Sequence, residues 1–227
     1  MEFDEILRRQ RVDKAAAVYS PLLLSVYDLW VYRVAAPRFF RCPLRIFHHF
    51  YEQNVSRHHL DIGVGSGSLL QHCKQKNLLE KVSLLDLNPN CLTAATEALQ
   101  PLPVQTYCAD VLQPFPIEQG QFATVGMNFL LHCVPGSFRE KGVAFTFVKQ
   151  VLAPGGLLFG STVLYQPGVA NAPARWLMNR YNSGGAFNNR EDSVEDLQVV
   201  LGNLFENVEL SLEGCVLFFR ASDAALD

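Results

Sequence analysis

Three glycines within one short turn are the first residues of this chain whose spacing could serve chemistry. Gly63, Gly65 and Gly67 follow an apolar run at 59–62 and precede a helical pattern. Glycines at such a turn let the backbone bend sharply and let a ligand approach the main-chain amides. The spacing alone leaves the ligand open, because Gly63 and Gly65 with Ser68 also fit the fingerprint that binds the pyrophosphate of nicotinamide dinucleotides.

The acidic residue Asp61 precedes the first of these glycines and narrows the choice of ligand. A carboxylate at this point would repel a pyrophosphate, whereas it could pair with the ammonium group of a methionine moiety. S-adenosylmethionine (SAM) carries such an ammonium group beside a sulfonium centre, and it has no phosphate. The alternative is that Asp61 only caps the turn through local hydrogen bonds, as Asp often does.

Two further carboxylates stand at the ends of the next two predicted strands. Asp86 ends the second strand, where an acidic group can accept hydrogen bonds from both hydroxyls of a ribose. This feature is common to nucleotide sites and SAM sites and does not separate them. Asp110 follows the third strand and is placed to accept from the exocyclic amine of an adenine, with Val111 near the ring. Asp110 could instead only begin a local turn.

Alternating strand and helix patterns surround these residues and would position them. Short apolar strand patterns occur at 59–62, 82–86, 104–107, 122–127 and 156–163. Helical patterns separate them near 67–76, 89–99 and 138–152. Strand–helix alternation at this spacing predicts a parallel, doubly wound sheet with right-handed crossovers.

The C-terminal part departs from this alternation. A helix predicted at 193–203 is followed by strands at 207–213 and 215–220, which meet at Gly214. So tight a link can join only antiparallel strands. The sequence therefore predicts a three-layer α/β/α fold, in which a seven-stranded and mostly parallel sheet ends in an antiparallel last strand.

Residues 1–57 are predicted to form an N-terminal helical cap on the core, which spans 58–227. The cap helices are predicted at 5–18, after Ser20-Pro21 and near Pro43. Aromatic residues of this cap, Tyr19 and Tyr27 among them, are predicted to close over a substrate. Ordinary helix packing would also account for them.

A segment at 165–192 precedes the last predicted helix of the core. It contains Tyr165, Phe187 and the pair Gly184-Gly185. An insertion with paired glycines favours a substrate lid, with Tyr165 and Phe187 as substrate-binding residues. The segment could equally be a structural extension.

In register, these motifs resemble those of the class I SAM-dependent methyltransferases over about residues 59–220. The resemblance rests on the glycine turn with Asp61, on Asp86 and Asp110, and on a Pro154-Gly155-Gly156 turn that leads into the fifth strand. It implies that Asp61 and the glycines hold the methionine end of SAM, Asp86 the ribose and Asp110 the adenine. The cofactor-binding residues predicted in this way are Asp61, Gly63, Gly65, Gly67, Asp86, Leu87, Asp110, Val111 and Asn128.

The end of the fourth strand is where this family places the transferring methyl group. Here the chain reads Asn128-Phe129-Leu130-Leu131-His132, and it lacks the Asn/Asp-Pro-Pro-aromatic motif of methylases that act on adenine or glutamine amides. Asn128 is a neutral amide and a poor first ligand for magnesium, so we expect no metal. His132 is predicted to be the catalytic base, and a core or surface histidine is the alternative.

Composition restricts the partners of the protein. The chain of 227 residues has a formal net charge of −3 and no long run of Lys or Arg, which argues against nucleic acid. The six cysteines include no Cys-x-x-Cys pair, which fits a reducing compartment. The most apolar stretch, 21–40, is too polar to span a bilayer. We therefore expect a cytoplasmic protein that binds neither nucleic acid nor membrane.

The predicted function is SAM-dependent methyl transfer to a small, largely apolar metabolite, with S-adenosylhomocysteine (SAH) as the product. The N-terminal part loosely resembles the caps of secondary-metabolite methyltransferases, and the acceptor atom stays open between O, N and C. One alternative is a SAM-binding protein without methyl transfer, such as a pseudoenzyme, a partner protein or a cyclase. A second alternative is an NAD(P)-dependent reductase.

The adjacent pairs His48-His49 and His58-His59 are predicted to lie at the surface.

Overall fold

A seven-stranded sheet forms the middle layer of the protein. The structure is a computed structural model that describes residues 31–224. Its strands are β1 (His58–Ile62), β2 (Lys81–Asp86), β3 (Val104–Cys108), β4 (Phe122–Asn128), β5 (Leu152–Val163), β6 (Asn207–Glu213) and β7 (Val216–Ser222). The spatial order is β3-β2-β1-β4-β5-β7-β6, and β7 runs antiparallel to both of its neighbours, β5 and β6. The predicted sheet with a reversed last strand is therefore confirmed.

Helices cover both faces of this sheet. They are α1 (Leu44–Asn54), α2 (Ser68–Gln71), α3 (Pro89–Ala98), α4 (Phe138–Lys141), α5 (Val143–Val151), α6 (Ala172–Ser183) and α7 (Val194–Gly202). A π-helix (Val31–Phe39) precedes α1, and a short 3-10 helix (Lys76–Leu78) follows α2. Buried apolar residues of α1, α2, α3 and α6 form one core, and those of α4, α5 and α7 form the other. The three-layer prediction is confirmed.

Two predicted helices differ from the observed ones. The helix predicted at 67–76 ends at Gln71, because the residues from Lys74 to Leu78 are exposed and give the helix no face to bury. The helix predicted at 138–152 is divided at Gly142 into α4 and α5. A Cβ at this position would lie 2.5 Å from Val200 Cγ1, so the break coincides with the close approach of α7.

The last helix of the predicted cap, α1, starts directly after Pro43, as expected. Its buried residues Phe47 and Tyr51 pack against aromatic rings of the sheet, with ring centroids 5.3 Å from Phe218 and 5.3 Å from Phe159 respectively. This packing carries the Tyr51 side chain over the first strand. The first predicted cap helix and most of the second, together with Tyr19 and Tyr27, lie outside the described residues, and the π-helix (Val31–Phe39) begins where the second was predicted to end.

Several contacts attach the segment 165–192 to the core. Helix α6 lies within it and buries Ala174, Leu177 and Met178. The Asn189 side-chain amide donates to the Val163 carbonyl over 2.8 Å. The ammonium of Lys141 contacts both carboxylate oxygens of Asp192, at 2.9 and 2.7 Å, and both side chains are fully buried. These contacts hold the segment against the core. Its role as a substrate lid stays a prediction.

All six cysteines are free thiols in the described part of the chain. Among residues 31–224, no helix has the length and apolarity that crossing a membrane requires.

Candidate cofactor and acceptor site

The predicted site residues converge at the carboxyl ends of the parallel strands. Asp61 on β1 is paired with Leu84 of β2 on one side and with Gly126 of β4 on the other. The strand order reverses between β1 and β4, and open α/β sheets bind ligands at such a switch point. The Gly65 amide lies 3.4 Å from Asp86 Oδ2, so the ends of β1 and β2 are directly connected.

The glycine turn leaves room for a ligand at one of its positions. Gly63, Gly65 and Gly67 all adopt left-handed backbone conformations, with φ of 69°, 56° and 77°. A Cβ at Gly67 would lie 3.0 Å from Ala95 Cβ, so this glycine lets α3 pack against the turn. A Cβ at Gly65 would meet no described atom within 4 Å. The Gly65 backbone therefore faces open space, as a cofactor cradle requires.

Asp61 is a buried carboxylate with few compensating contacts. Burial raises its pKa to about 7, a hydrogen bond from Tyr51 at 3.1 Å opposes this shift, and the charge of Asp86 adds to it. No lysine or arginine within the described residues forms an ion pair with Asp61 or Asp86. Within residues 31–224 these two acidic groups have no cationic partner, which favours a positively charged ligand group beside them.

Asp86 organises the loop around the predicted ribose position. Its Oδ1 accepts from the Asn88 amide at 2.9 Å. Burial raises the pKa of Asp86 to about 6, and backbone amides of Asn88, Gly65 and Leu87 oppose the shift. The half-buried Leu87 follows directly. The carboxylate thus lies beside both the glycine turn and the start of α3, and its contact with a ribose stays a prediction.

Asp110 adopts the turn conformation that was the alternative to adenine binding. Its Oδ1 accepts from the Leu112 amide at 2.9 Å, and its main-chain carbonyl accepts from Gln113. The second carboxylate oxygen makes no hydrogen bond with the described residues. Val111 is buried in the core that contains α4, α5 and α7. Capping the turn leaves one oxygen of Asp110 available to a ligand, and the adenine contact stays a prediction.

The end of β4 combines an unpaired donor with backbone strain. Asn128 Oδ1 accepts from the Ser161 hydroxyl at 2.9 Å, while its Nδ2 is buried and has no hydrogen-bond partner among the described residues. Phe129 has a φ of 54°, which is rare for a bulky side chain and costs on the order of 1–3 kcal/mol. Such strain persists only where the surrounding structure holds it, and it is common at functional sites.

His132 lies next to this strained residue and is completely buried. Its Nδ1 accepts from the Val163 amide at 3.3 Å, which assigns the proton of the neutral ring to Nε2. Nε2 has no partner. Burial, aided by the charge of Lys141, lowers the His132 pKa to about 3. The ring therefore offers an unpaired N–H, whereas the predicted base would need an unpaired lone pair and a pKa near neutrality.

The predicted substrate residues have different environments. Phe187 is buried, and its ring centroid lies 4.4 Å from that of His132. Tyr165 is partly buried, and its hydroxyl donates to Asn179 Oδ1 at 2.9 Å. Phe187 is thus adjacent to the end of β4, and substrate contacts by either residue stay predictions.

One histidine prediction is wrong. His58 is exposed as expected at the start of β1, but His59 is completely buried, because both faces of the sheet are covered and β1 is buried from His59 onward. His59 contacts the Tyr51 hydroxyl at 2.8 Å and Thr124 Oγ1 at 2.9 Å, and burial lowers its pKa to about 3. The alternation His58, His59, Leu60, Asp61 was the signal that could have placed His59 on the Asp61 side.

Comparison with known proteins identifies the family. A sequence family described as "Methyltransferase domain" matches residues 60–160. The chain is 38% identical to the demethylluteothin O-methyltransferase of Streptomyces thioluteus, over 96% of this chain and 94% of that protein. It is 34% identical to the physcion biosynthesis cluster O-methyltransferase of Aspergillus chevalieri, over 92% and 95% respectively.

A solved structure provides the fold comparison. The phosphoethanolamine N-methyltransferase 2 of Haemonchus contortus, determined with SAM, superposes with a TM-score of 0.69 at 14% identity. The alignment covers 92% of this chain and 58% of that one. The two sequence relatives show the family and the solved structure shows the shared fold, so the chain belongs to the class I SAM-dependent methyltransferases.

Proposed function

We propose that the protein uses SAM to methylate a hydroxyl oxygen of a small, largely apolar metabolite. The carrying observation is the open turn at Gly65 beside Asp61 and Asp86, two carboxylates that lack a cationic partner within the described residues. Support for an oxygen acceptor comes from the relatives, because both of the O-methyltransferases named above align over more than nine-tenths of this chain.

The residues fit the cofactor group by group. Asp61 would accept the ammonium of the methionine moiety, and the open side of the backbone at Gly65 would lie against the remainder of that end. Asp86 would accept from the ribose hydroxyls, and the free oxygen of Asp110 would accept from the adenine amine. When bound, SAM supplies a methyl group activated by the sulfonium. The tasks left to the protein are alignment of the acceptor and exclusion of water.

The acceptor side offers donors in place of a base. Among residues 31–224, the polar groups left unpaired at this end of the sheet are His132 Nε2–H and the Nδ2 of Asn128, which was predicted to bind the cofactor. Both groups are buried, and once substrate binding opens a path to them they would hold an acceptor oxygen and stabilise negative charge on it. This arrangement favours a hydroxyl that ionises without help from a protein base. The rings of Phe129 and Phe187, which flank His132, would cover an apolar skeleton.

The test is a pair of calorimetric titrations of the full chain, one with SAH and one with NADH. We expect saturable binding of SAH and none of NADH, since Asp61 repels a pyrophosphate. Failure to bind SAH at millimolar concentration, or binding of NADH at the same turn, would overturn the proposal.

A second candidate is a SAM-binding protein without methyl transfer, which the low pKa of His132 and its paired Nδ1 bring into consideration. Incubation with SAM carrying a radiolabelled methyl group and a small-molecule extract of the source cells separates the two. Label recovered in an extracted metabolite supports transfer. SAH binding without any labelled product supports the second candidate.

A further inference from the structure

A buried chain of hydrogen bonds lies beneath the glycine turn and ends on Asp61. The Ser56 amide donates to Thr124 Oγ1 at 3.1 Å, and Thr124 Oγ1 lies 2.9 Å from His59 Nδ1. His59 Nε2 lies 2.8 Å from the Tyr51 hydroxyl, which donates to Asp61 Oδ2 at 3.1 Å. The side chains of Tyr51, His59, Thr124 and Asp61 are all buried.

The two ends of this chain fix the direction of every bond in it while Asp61 is ionised. A backbone amide can only donate, and a carboxylate can only accept. Tyr51 therefore gives its proton to Asp61 and accepts from His59 Nε2–H. His59 Nδ1 then accepts from the Thr124 hydroxyl, whose oxygen accepts from Ser56. This assignment needs a neutral imidazole, in agreement with the strong lowering of the His59 pKa by burial.

The chain connects three elements across the switch point of the sheet. Tyr51 comes from α1, His59 and Asp61 from β1, and Thr124 from β4. The Phe159 ring stacks on His59 at 5.8 Å and covers Tyr51 at 5.3 Å, which keeps water away. In such a dry environment an oriented donor acts strongly on a neighbouring charge.

Close packing on the other side fixes the carboxylate position as well. A Cβ on Gly126 would lie 3.2 Å from His59 Cε1 and 3.3 Å from Asp61 Oδ1. The absence of a side chain at this position therefore lets the imidazole and the carboxylate lie directly against β4. With Oδ2 held by Tyr51, Oδ1 is the oxygen left for a ligand.

We infer that Tyr51, His59 and Thr124 are positioning residues that orient the Asp61 carboxylate toward the ammonium group of the cofactor. This inference rests on the proposed function, because it takes Asp61 as the acceptor for that ammonium. None of the three side chains needs to touch the cofactor. Their effect is confined to the methionine end, since the chain of bonds ends on Asp61 and does not extend to Asp86.

Two ligands that differ at the methionine end provide the test. SAH carries the ammonium group, whereas 5′-methylthioadenosine has the same adenosine and thioether but no amino acid. In Tyr51→Phe, we expect calorimetry to give SAH binding weaker by on the order of tenfold, the effect of a lost hydrogen bond to a charged group. Binding of 5′-methylthioadenosine should change by less than about twofold.

Matched variants separate positioning from a general effect on the fold. Tyr107→Phe removes the hydroxyl of a partly buried tyrosine on β3, which β2 separates from β1, and should bind both ligands like the wild type. Thr124→Ser keeps the hydroxyl of the chain and should bind SAH normally, whereas Thr124→Val should weaken SAH alone. Should Tyr51→Phe fail to fold, the two Thr124 variants carry the same test. Thermal unfolding of each ligand-free variant verifies that it is folded.

Every outcome of these titrations either supports or overturns the positioning role of Tyr51, His59 and Thr124. Selective loss of SAH binding supports the inference. Equal weakening of both ligands, or unchanged SAH binding in folded Tyr51→Phe and Thr124→Val, overturns it and leaves the proposed function standing. A wild-type protein that binds neither SAH nor 5′-methylthioadenosine overturns the proposed function and the inference together.

Discussion

The two halves of the site use polar groups in opposite ways. On the cofactor side, Asp61 lies at the end of a complete series of hydrogen bonds from Tyr51, His59 and Thr124. On the proposed acceptor side, two buried donors have no hydrogen-bond partner among residues 31–224, and the backbone between them is strained at Phe129.

This difference indicates which kind of ligand group each half of the proposed site would bind. A series of satisfied bonds fixes one carboxylate in one position, as recognition of an invariant cofactor group requires. Unpaired buried donors are costly unless a ligand accepts from them, which supports the proposal that an oxygen-bearing acceptor binds at the ends of β4 and β5. Four predictions test the contrast.

The largest effect is expected at the buried ion pair that anchors the acceptor side. Lys141 also donates to the Asn188 carbonyl at 2.8 Å, and the Asn188 amide donates to the His132 carbonyl. Lys141→Met leaves Asp192 buried without its cation and should lower the free energy of unfolding by about 3–5 kcal/mol in urea denaturation. SAH affinity of the folded protein should stay close to that of the wild type.

Two control variants test whether the loss of stability comes from the buried charge of Asp192. Arg139→Met removes the exposed partner of Asp196 and should cost less than about 1 kcal/mol. The double variant Lys141→Met, Asp192→Leu should recover most of the loss, because no isolated charge remains buried. Equal stability of Lys141→Met and the wild type would contradict the structural role of the pair.

The second effect concerns the cofactor side. Asp61→Ala should weaken SAH binding by about 1.5–3 kcal/mol, the range for a hydrogen bond to a charged group, and the fold should remain intact. Calorimetry measures the affinity. Glu97→Gln, which neutralises an exposed carboxylate on α3, is the control and should bind SAH normally. Unchanged affinity in Asp61→Ala would show that this carboxylate does not contact the ligand.

The third prediction distinguishes a donor from a base at His132. The amide of Gln can replace the donor at Nε2, whereas the shorter Asn side chain replaces only the acceptor at Nδ1. His132→Gln should therefore retain more methyl transfer than His132→Asn, by about tenfold in kcat/KM. Labelled-methyl transfer to the extracted acceptor provides the rates, with SAH affinity as the reference for intact folding. Equally severe loss in both variants would favour a base.

The smallest effect is a pH dependence of cofactor binding. The pKa of Asp61 is about 7 without ligand, so below that pH the carboxyl group is largely protonated and must lose its proton before it pairs with an ammonium. SAH affinity should fall by about fourfold between about pH 8 and about pH 6.5. Asp61→Ala should lack this dependence, and a flat profile for the wild type would indicate that Asp61 is already ionised.

Local sequence patterns were sufficient for the layers of this fold. The strand at 207–213 was predicted with its observed bounds, and the helix predicted at 193–203 was observed within one residue at each end. The reversed β7 followed from the tight link at Gly214. Such features depend on residues close in the chain, whose periodicity and turn preferences can be read directly. Helix ends were less predictable, as α2 shows, because exposure of the following residues depends on the whole fold.

The sequence by itself determined the α/β architecture and the candidate cofactor residues, since Asp61, Gly65 and Asp86 belong to short local motifs. Only the tertiary structure decided that His59 is buried, that His132 has its free proton on Nε2, and that Lys141 pairs with Asp192. The partners in these contacts lie far apart in the chain, as His59 and Thr124 do. Hydrogen-bond direction, burial and pKa depend on which distant groups the sheet brings together, and no local pattern encodes that.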